Sequence, residues 1–285
     1  MTVSDAELTS IAASHDIISL GMLADDARRR RHGTRTTFVR VADVPLAGET
    51  APSASPLAGE VRIGGTPASR ADAVARVAHV AAAIDRSRGV PLSGFSLADL
   101  EELSAREGVT LRALLEELRA AGLELVAEAP FDRLHDPRRS IEEVNIAGLA
   151  LARLTIHRSP SSDPVPLLKA VADLQRGVAV IRSFAPLPRS ANPAVPTTGY
   201  DDVKRVALAR VIVDNIASIQ VDWSLYGPKL AQVALTVGAD DVDGVSAEDD
   251  MTEGRRRAPL EEIRRNIRAA SQEPVERNGR FELLR

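Results

Sequence analysis

The sequence predicts an α/β fold: a truncated or irregular parallel (β/α) barrel, TIM-barrel-like, followed by a C-terminal extension. Three observations carry this reading. Short apolar, β-branched runs alternate with longer segments of helical period along most of the 285 residues, the pattern of βα units on a mostly parallel sheet. Caps and glycine stops bracket several of the helical segments. The length suits a single barrel domain of about 250 residues, and the handedness rule for parallel crossovers favours closing such units into a barrel or part of one. Residues 1–244 are assigned to the barrel and residues 245–285 to a helical extension.

Residues 5–31 carry apolar positions at helical spacing (Leu8, Ile11, Ile17, Ile18, Leu20, Leu23), read as two short helices around His15 and Asp16 with Gly33 as the stop. Residues 36–41 form a first strand. Residues 42–59, rich in Pro, Ala, Ser and Gly, read as an exposed loop. A second strand at 61–63 ends in Gly64 and Gly65, and the alanine-rich stretch 69–84 is a helix. Ser96 opens another helix, with Asp99 three residues on in a capping-box pattern. Thr110 caps the next, which Gly122 ends. Strands follow at 123–127, 151–156, 178–184 and 219–223, with helices at 141–149, 165–175 and 200–215 between them and a Pro-rich loop over 186–198. Pro228 at the first position and Gly238 past the end frame a helix over 228–237. The last helix, 260–270, places Ile263 and Ile267 on one face.

Composition narrows the classes. Aromatics make up only 3% of the chain, so the core is built from Leu, Val, Ile and Ala. A net charge of −4 argues against a nucleic-acid protein, which needs a concentrated basic face. The one basic cluster, Arg28 to Arg31, reads as a solvated helix face or a last turn favoured by the helix dipole. Without cysteine, disulfides and thiolate metal sites are excluded. No apolar run reaches the roughly 18 residues of a spanning helix, and the N-terminus lacks a basic-then-apolar leader. The expectation is a soluble, cytoplasmic protein with no membrane span.

Three local patterns invite sharper readings and fail. Asp240, Asp241 and Asp243 before Gly244 suggest a calcium loop, but Ala239 and Asp250 stand where ligands are required. Gly94-Phe95-Ser96 approaches a nucleophile elbow, yet no strong strand precedes it and Ala98 replaces the last glycine. Residues 97–122 look like a helix-turn-helix, but Glu116 and Glu117 offset Arg112 and Arg119, leaving no basic excess for phosphates.

Longer motifs carry a resemblance. GPKLAQVAL from Gly227, GADDVDG from Gly238, EVRIGG from Glu60, LVAEAPF from Leu125, LTIH from Leu154 and the stretch from Thr197 to Trp223 are similar to the aminofutalosine synthases and the kindred dehypoxanthinylfutalosine cyclases. These are radical-SAM enzymes of the futalosine route to menaquinone. The resemblance implies a barrel with its site at the strand C-termini, an iron–sulfur cluster on three cysteines, and SAM. This chain has no cysteine, and only residues 42–59 stand where the family places its cluster loop. Leu125 and Val126 replace the family's fourth-strand glycines, and Glu253 stands near a family histidine.

The expectation is therefore a degenerate member without cluster, SAM or metal site. The candidate ligand-binding residues are Glu128, His157, Trp223, Asp240, Asp241, Asp243, Gly64 and Gly65, placed at or beside predicted strand C-termini. His157 and Glu128 are the catalytic candidates, since an imidazole titrates near neutral pH and a carboxylate grips hydroxyls. Each has a bland alternative, a hydrogen-bonded structural histidine and a carboxylate paired with Arg133, Arg138 or Arg139. Expected partners are a purine-nucleoside ligand and a second copy or paralogue. Two further functions stay open: a non-radical enzyme of nucleoside metabolism, and an interaction protein whose pocket is filled.

Overall fold

Eight parallel strands close on themselves in the computed structural model, which describes residues 16–47, 55–85, 89–159, 161–195, 197–248 and 259–284. The elements run α1 (Ile17–His32), β1 (Arg35–Pro45), β2 (Glu60–Gly64), α2 (Arg70–Ala83), β3 (Leu92–Ser96), α3 (Leu97–Arg106), α4 (Leu111–Ala121) and β4 (Leu125–Pro130). They continue α5 (Pro137–Ile146), β5 (Ala150–Leu151), β6 (Leu154–Ile156), α6 (Val165–Val178), β7 (Ser183–Pro188), α7 (Gly199–Ile212), β8 (Ser218–Asp222), α8 (Trp223–Thr236), β9 (Asp241–Ser246), α9 (Pro259–Ala269) and β10 (Glu273–Glu276). The circuit is β1-β2-β3-β4-β6-β7-β8-β9, and β9 returns to β1. Short β5 pairs with β4 below β6.

The fold is the barrel expected, with its irregularity where the sequence placed it. Among the described residues no helix joins β1 to β2, whereas every later strand of the circuit is reached through at least one helix. The circuit nevertheless has eight strands, because residues 92–96 form β3 where only a helix start was read. That run is short and interrupted by Gly94, so it carries no alternation, yet Leu92, Ser93 and Phe95 are all buried. The strand expected at 178–184 starts later. Ala179 takes a left-handed conformation (φ 55°) to end α6, and the Gln175 side chain clasps the backbone of Ile181 through both its amide atoms before β7 begins.

The C-terminal part is not only helical. The assigned boundary at 244 falls inside β9, and after α9 the chain adds β10, parallel to β1 in the register Arg35 with Glu273. The Phe38 and Arg40 carbonyls, on one edge of β1, accept from Arg277 and Gly59. The end of the chain thus fills the edge of β1 that β2 leaves open.

Helix ends follow their sequence signals. Asp16 accepts from the Ser19 amide at 3.0 Å, and Gly33 (φ 63°) closes α1 behind Arg29, Arg30, Arg31 and His32. The basic cluster is only partly solvated: Arg28 is buried against Asp25, and Arg31 donates to the carbonyls of Asp214 and Ile216. The first of the two helices expected in residues 5–31 lies outside the described residues. Between helices and strands the core is aliphatic, with Val77, Leu100, Leu114, Leu168, Leu208 and Leu235 fully buried.

Candidate functional site

The lumen is lined by charge rather than by hydrocarbon. Side chains of strands that are not neighbours meet one another, which they can do only across the interior. At the floor, Arg277 grips Asp241 through two contacts of 2.6 Å, and Gln220 donates to the same carboxylate at 2.6 Å. The Phe281 ring lies 3.7 Å from the Arg277 guanidinium, a cation–π contact. Gly59 is required here, because a Cβ would stand 2.8 Å from the Arg277 carbonyl oxygen.

One level up, Arg62 donates to Glu60 at 2.9 Å and to both Asp243 oxygens at 2.9 and 3.2 Å. The Ser93 hydroxyl donates to Glu60 at 2.5 Å. Arg153 lies against Asp243, stands 3.7 Å from Glu60 and donates to the Ala127 carbonyl at 2.8 Å. Burial opposes ionisation of Glu60, but the Arg62 and Arg153 guanidiniums outweigh it and hold the carboxyl at about 2. Arg153 moves the other way: burial, then repulsion from Arg62, lowers it to about 9, still protonated at neutral pH.

At the mouth, Arg189, just past β7, reaches Glu128 of β4 at 3.0 Å and Asp222 of β8 at 3.2 Å. Asp222 also caps α8, accepting from the Leu225 amide at 3.0 Å and the Ser224 hydroxyl at 2.7 Å. Burial works against its ionisation, and Arg189 overrides this to keep the carboxyl below its ordinary value. Gly244 (φ 70°) allows the approach, since a Cβ there would stand 2.8 Å from Asp222 Oδ1. Asp43 of β1, in register with Arg62, faces the same set and is exposed. Loss of solvation raises its carboxyl, with Arg62 opposing and Glu60 and Asp222 adding to the rise.

The structure divides the residues expected at this site. Glu128 stands at the mouth, 24% exposed; its partner is Arg189, not Arg133, Arg138 or Arg139. His157 follows β6 at the mouth, its amide donating to Asp132 at 2.6 Å, and its imidazole makes no hydrogen bond among the described residues. Trp223 is the first residue of α8, directly above Asp222. Gly64 ends β2 with open space where a Cβ would stand, and Gly65 (φ 103°) turns the chain beside Leu46.

The aspartate trio separates. β9 starts at Asp241, so Asp240 and Asp241 lie at the N-terminal end of the strand, not beyond its C-terminus. Asp240 sits behind the barrel, paired with Arg210, accepting from Ser218 at 3.0 Å and the Ile219 amide at 2.8 Å, with His32 at 3.4 Å. Asp241 belongs to the floor, and only Asp243 joins the level beneath the mouth. Strand β3 does precede Ser96, with Phe95 at φ 63°, but the Ser96 hydroxyl neither caps α3 nor meets a base among the described residues.

Sequence reasoning passed over Asp43, Glu60, Arg62, Arg153, Arg189 and Asp222. One local signal was present: Glu60 and Arg62, two apart in a short strand, share one face. A thiolate-ligated iron–sulfur cluster does not fit the donor set, because the chain has no cysteine and the described residues hold no group of three His, Asp or Glu suited to a metal. A hollow of 860 Å³ lies near the N-terminal strand ends, beside Glu124, Ile181 and Arg280, and is separate from the mouth.

By architecture the protein is a closed parallel (β/α) barrel. It superposes on methylornithine synthase (PylB) with a TM-score of 0.68 at 12% identity, covering 96% of this chain and 95% of that one, a likeness of fold alone. Residues 187–285 match the CofH/MqnC C-terminal region. A 5-amino-6-(D-ribitylamino)uracil–L-tyrosine 4-hydroxyphenyl transferase of Methanosphaerula palustris is 29% identical over 52% of this chain and 48% of its own length. The aminodeoxyfutalosine synthase of Thermus thermophilus is 27% identical over 69% of this chain and 61% of its own. The chain is thus similar to the aminodeoxyfutalosine synthases and cyclic dehypoxanthine futalosine synthases, and it has no cysteine. It spans about half the length of the Methanosphaerula palustris transferase. No helix among the described residues is long and apolar enough to cross a membrane.

Proposed function

We propose that this protein is a degenerate member of its group that holds no iron–sulfur cluster, cleaves no SAM, and binds a nucleoside-like ligand at the barrel mouth. The observation that carries the reading is the convergence of Glu128, Arg189, Asp222 and Asp43 on the strand C-termini, where barrels place their sites. A mouth plugged by leucine and valine would have favoured an interaction protein instead. Glu128 and Asp222 are suited to accept from sugar hydroxyls, and His157 stands at the rim with its ring uncommitted. Relatives named for futalosine and for ribitylaminouracil support the class, since both names describe a heterocycle bearing a sugar-derived chain.

Two measurements test it. After anaerobic reconstitution the purified protein is expected to carry no stoichiometric iron and sulfide and to form no deoxyadenosine from SAM. Thermal denaturation with adenosine, futalosine and aminofutalosine should show a stabilised native state with at least one of them. A ligand at about a hundred times its dissociation constant adds roughly 2.7 kcal/mol. Cluster assembly, or no shift with any of the three, overturns the reading.

A further inference from the structure

The charge of the upper lumen is unbalanced, and the imbalance selects a ligand. Among the described residues, five carboxylates across the middle level and the mouth (Asp43, Glu60, Glu128, Asp222 and Asp243) face three guanidiniums, those of Arg62, Arg153 and Arg189. The floor pair of Asp241 and Arg277 is complete in itself and does not alter this count. Each guanidinium is already engaged. Arg62 is held by Glu60 and Asp243, Arg153 by Asp243 and the Ala127 carbonyl, and Arg189 by Glu128 and Asp222. A carboxylate or phosphate entering the mouth would meet guanidiniums already neutralised by carboxylates and would add to the excess of negative charge.

Two groups are left over. Asp43 faces the lumen, since its charged neighbours include Arg153 and Asp222 from the far wall, yet it makes no hydrogen bond or ion pair among the described residues and is open to solvent. Thr155 of β6 is two residues beyond Arg153, so it shares the strand face that looks into the lumen. It is fully buried, and its hydroxyl has no hydrogen-bond partner among the described residues. An exposed anion and a buried hydroxyl, both left over on lumen-facing strand faces with surplus negative charge around them, are complementary to a donor-rich cation.

We propose that the mouth takes a ligand whose inward end is cationic, an amine or a protonated amidine-like group, and that Asp43 receives it. This rests on the reading that the mouth binds a nucleoside-like molecule, and it names the charge such a molecule must carry. Three matched probes separate the two claims: 5′-amino-5′-deoxyadenosine, adenosine and adenosine 5′-monophosphate, titrated calorimetrically into the full chain at pH 7 and low salt. The amine should bind about tenfold tighter than adenosine, and the monophosphate at least about tenfold weaker. Raising the salt should narrow the spread. In Asp43→Asn the amine and adenosine should fall within about twofold of each other, with the fold monitored by circular dichroism. Monophosphate binding as tight as adenosine, or an amine preference that survives Asp43→Asn, overturns this inference alone. If none of the three binds, this inference fails; if futalosine and aminofutalosine fail as well, the nucleoside reading falls with it.

Discussion

At the barrel floor Arg277 and Asp241 meet through two contacts of 2.6 Å with side-chain exposures of 2% and 0%, and Gln220 and Phe281 complete their surroundings. At the mouth Arg189 is divided between two carboxylates at 3.0 and 3.2 Å and keeps 26% of its side-chain surface in solvent, while Asp43 has no hydrogen-bond or ion-pair partner among the described residues. Both ends use arginine and aspartate. The floor matches its buried charges to each other, which makes it a device for closing the fold. The mouth leaves acceptors accessible, as the proposed ligand site requires.

That contrast breaks most readily at the floor. Arg277→Ala leaves Asp241 ionised, buried and unpaired, so stability measured by urea denaturation should fall by about 3–5 kcal/mol; a loss below about 1 kcal/mol would put floor and mouth on the same footing. Gly59→Ala forces a Cβ against the backbone of the segment that carries Arg277, and about 1–3 kcal/mol should be lost. The middle level is read through acid. Glu60 is held at about 2 against an ordinary 4.5, so its stabilisation is complete above pH 4.5 and fades as the pH falls towards 2. Glu60→Gln should flatten the stability profile across that window, and an unchanged profile would mean that Glu60 is not the ionised centre of the network. The smallest stability effects belong to the mouth. Glu128→Ala and His157→Ala should shift unfolding by no more than about 0.5–1 kcal/mol, because the groups are partly solvated. Nucleoside binding should weaken roughly tenfold in each. Unfolding of both variants, with no ligand ever bound, would move these side chains to the structural side of the comparison.

The barrel was legible because period and punctuation were: Thr110, Gly122 and Gly238 stand at the ends where they were read, and Pro228 restarts α8 after its break at Gly227 (φ 76°). Strand β3 was not, since five residues around Gly94 show neither alternation nor a β-branched run. The site was legible at Glu128 and His157, each at the end of a recognisable strand. Asp240, Asp241 and Asp243 looked like one acidic trio. The start of β9 and the alternation of its side chains send them instead to a buried pair with Arg210 outside the lumen, to the floor and to the middle level. Arg153 and Arg189 leave almost no local trace, and Arg62 only its neighbour Glu60, because their other anionic partners lie far away in the chain, 181 residues for Arg62 and Asp243. Only closure of the barrel brings them together.

Strand β10 also fixes the order of events when the chain is made. Thr36 of β1 finds its side-chain partner in Gln272, 236 residues later. At about 5–20 residues per second, translation needs between roughly ten seconds and most of a minute to supply it. Until then the edge of β1 has unpaired peptide groups, the kind of surface on which chains associate wrongly. β9 has by then closed the circuit of eight strands, so β10 arrives as a cover for that edge and not as a stave of the barrel.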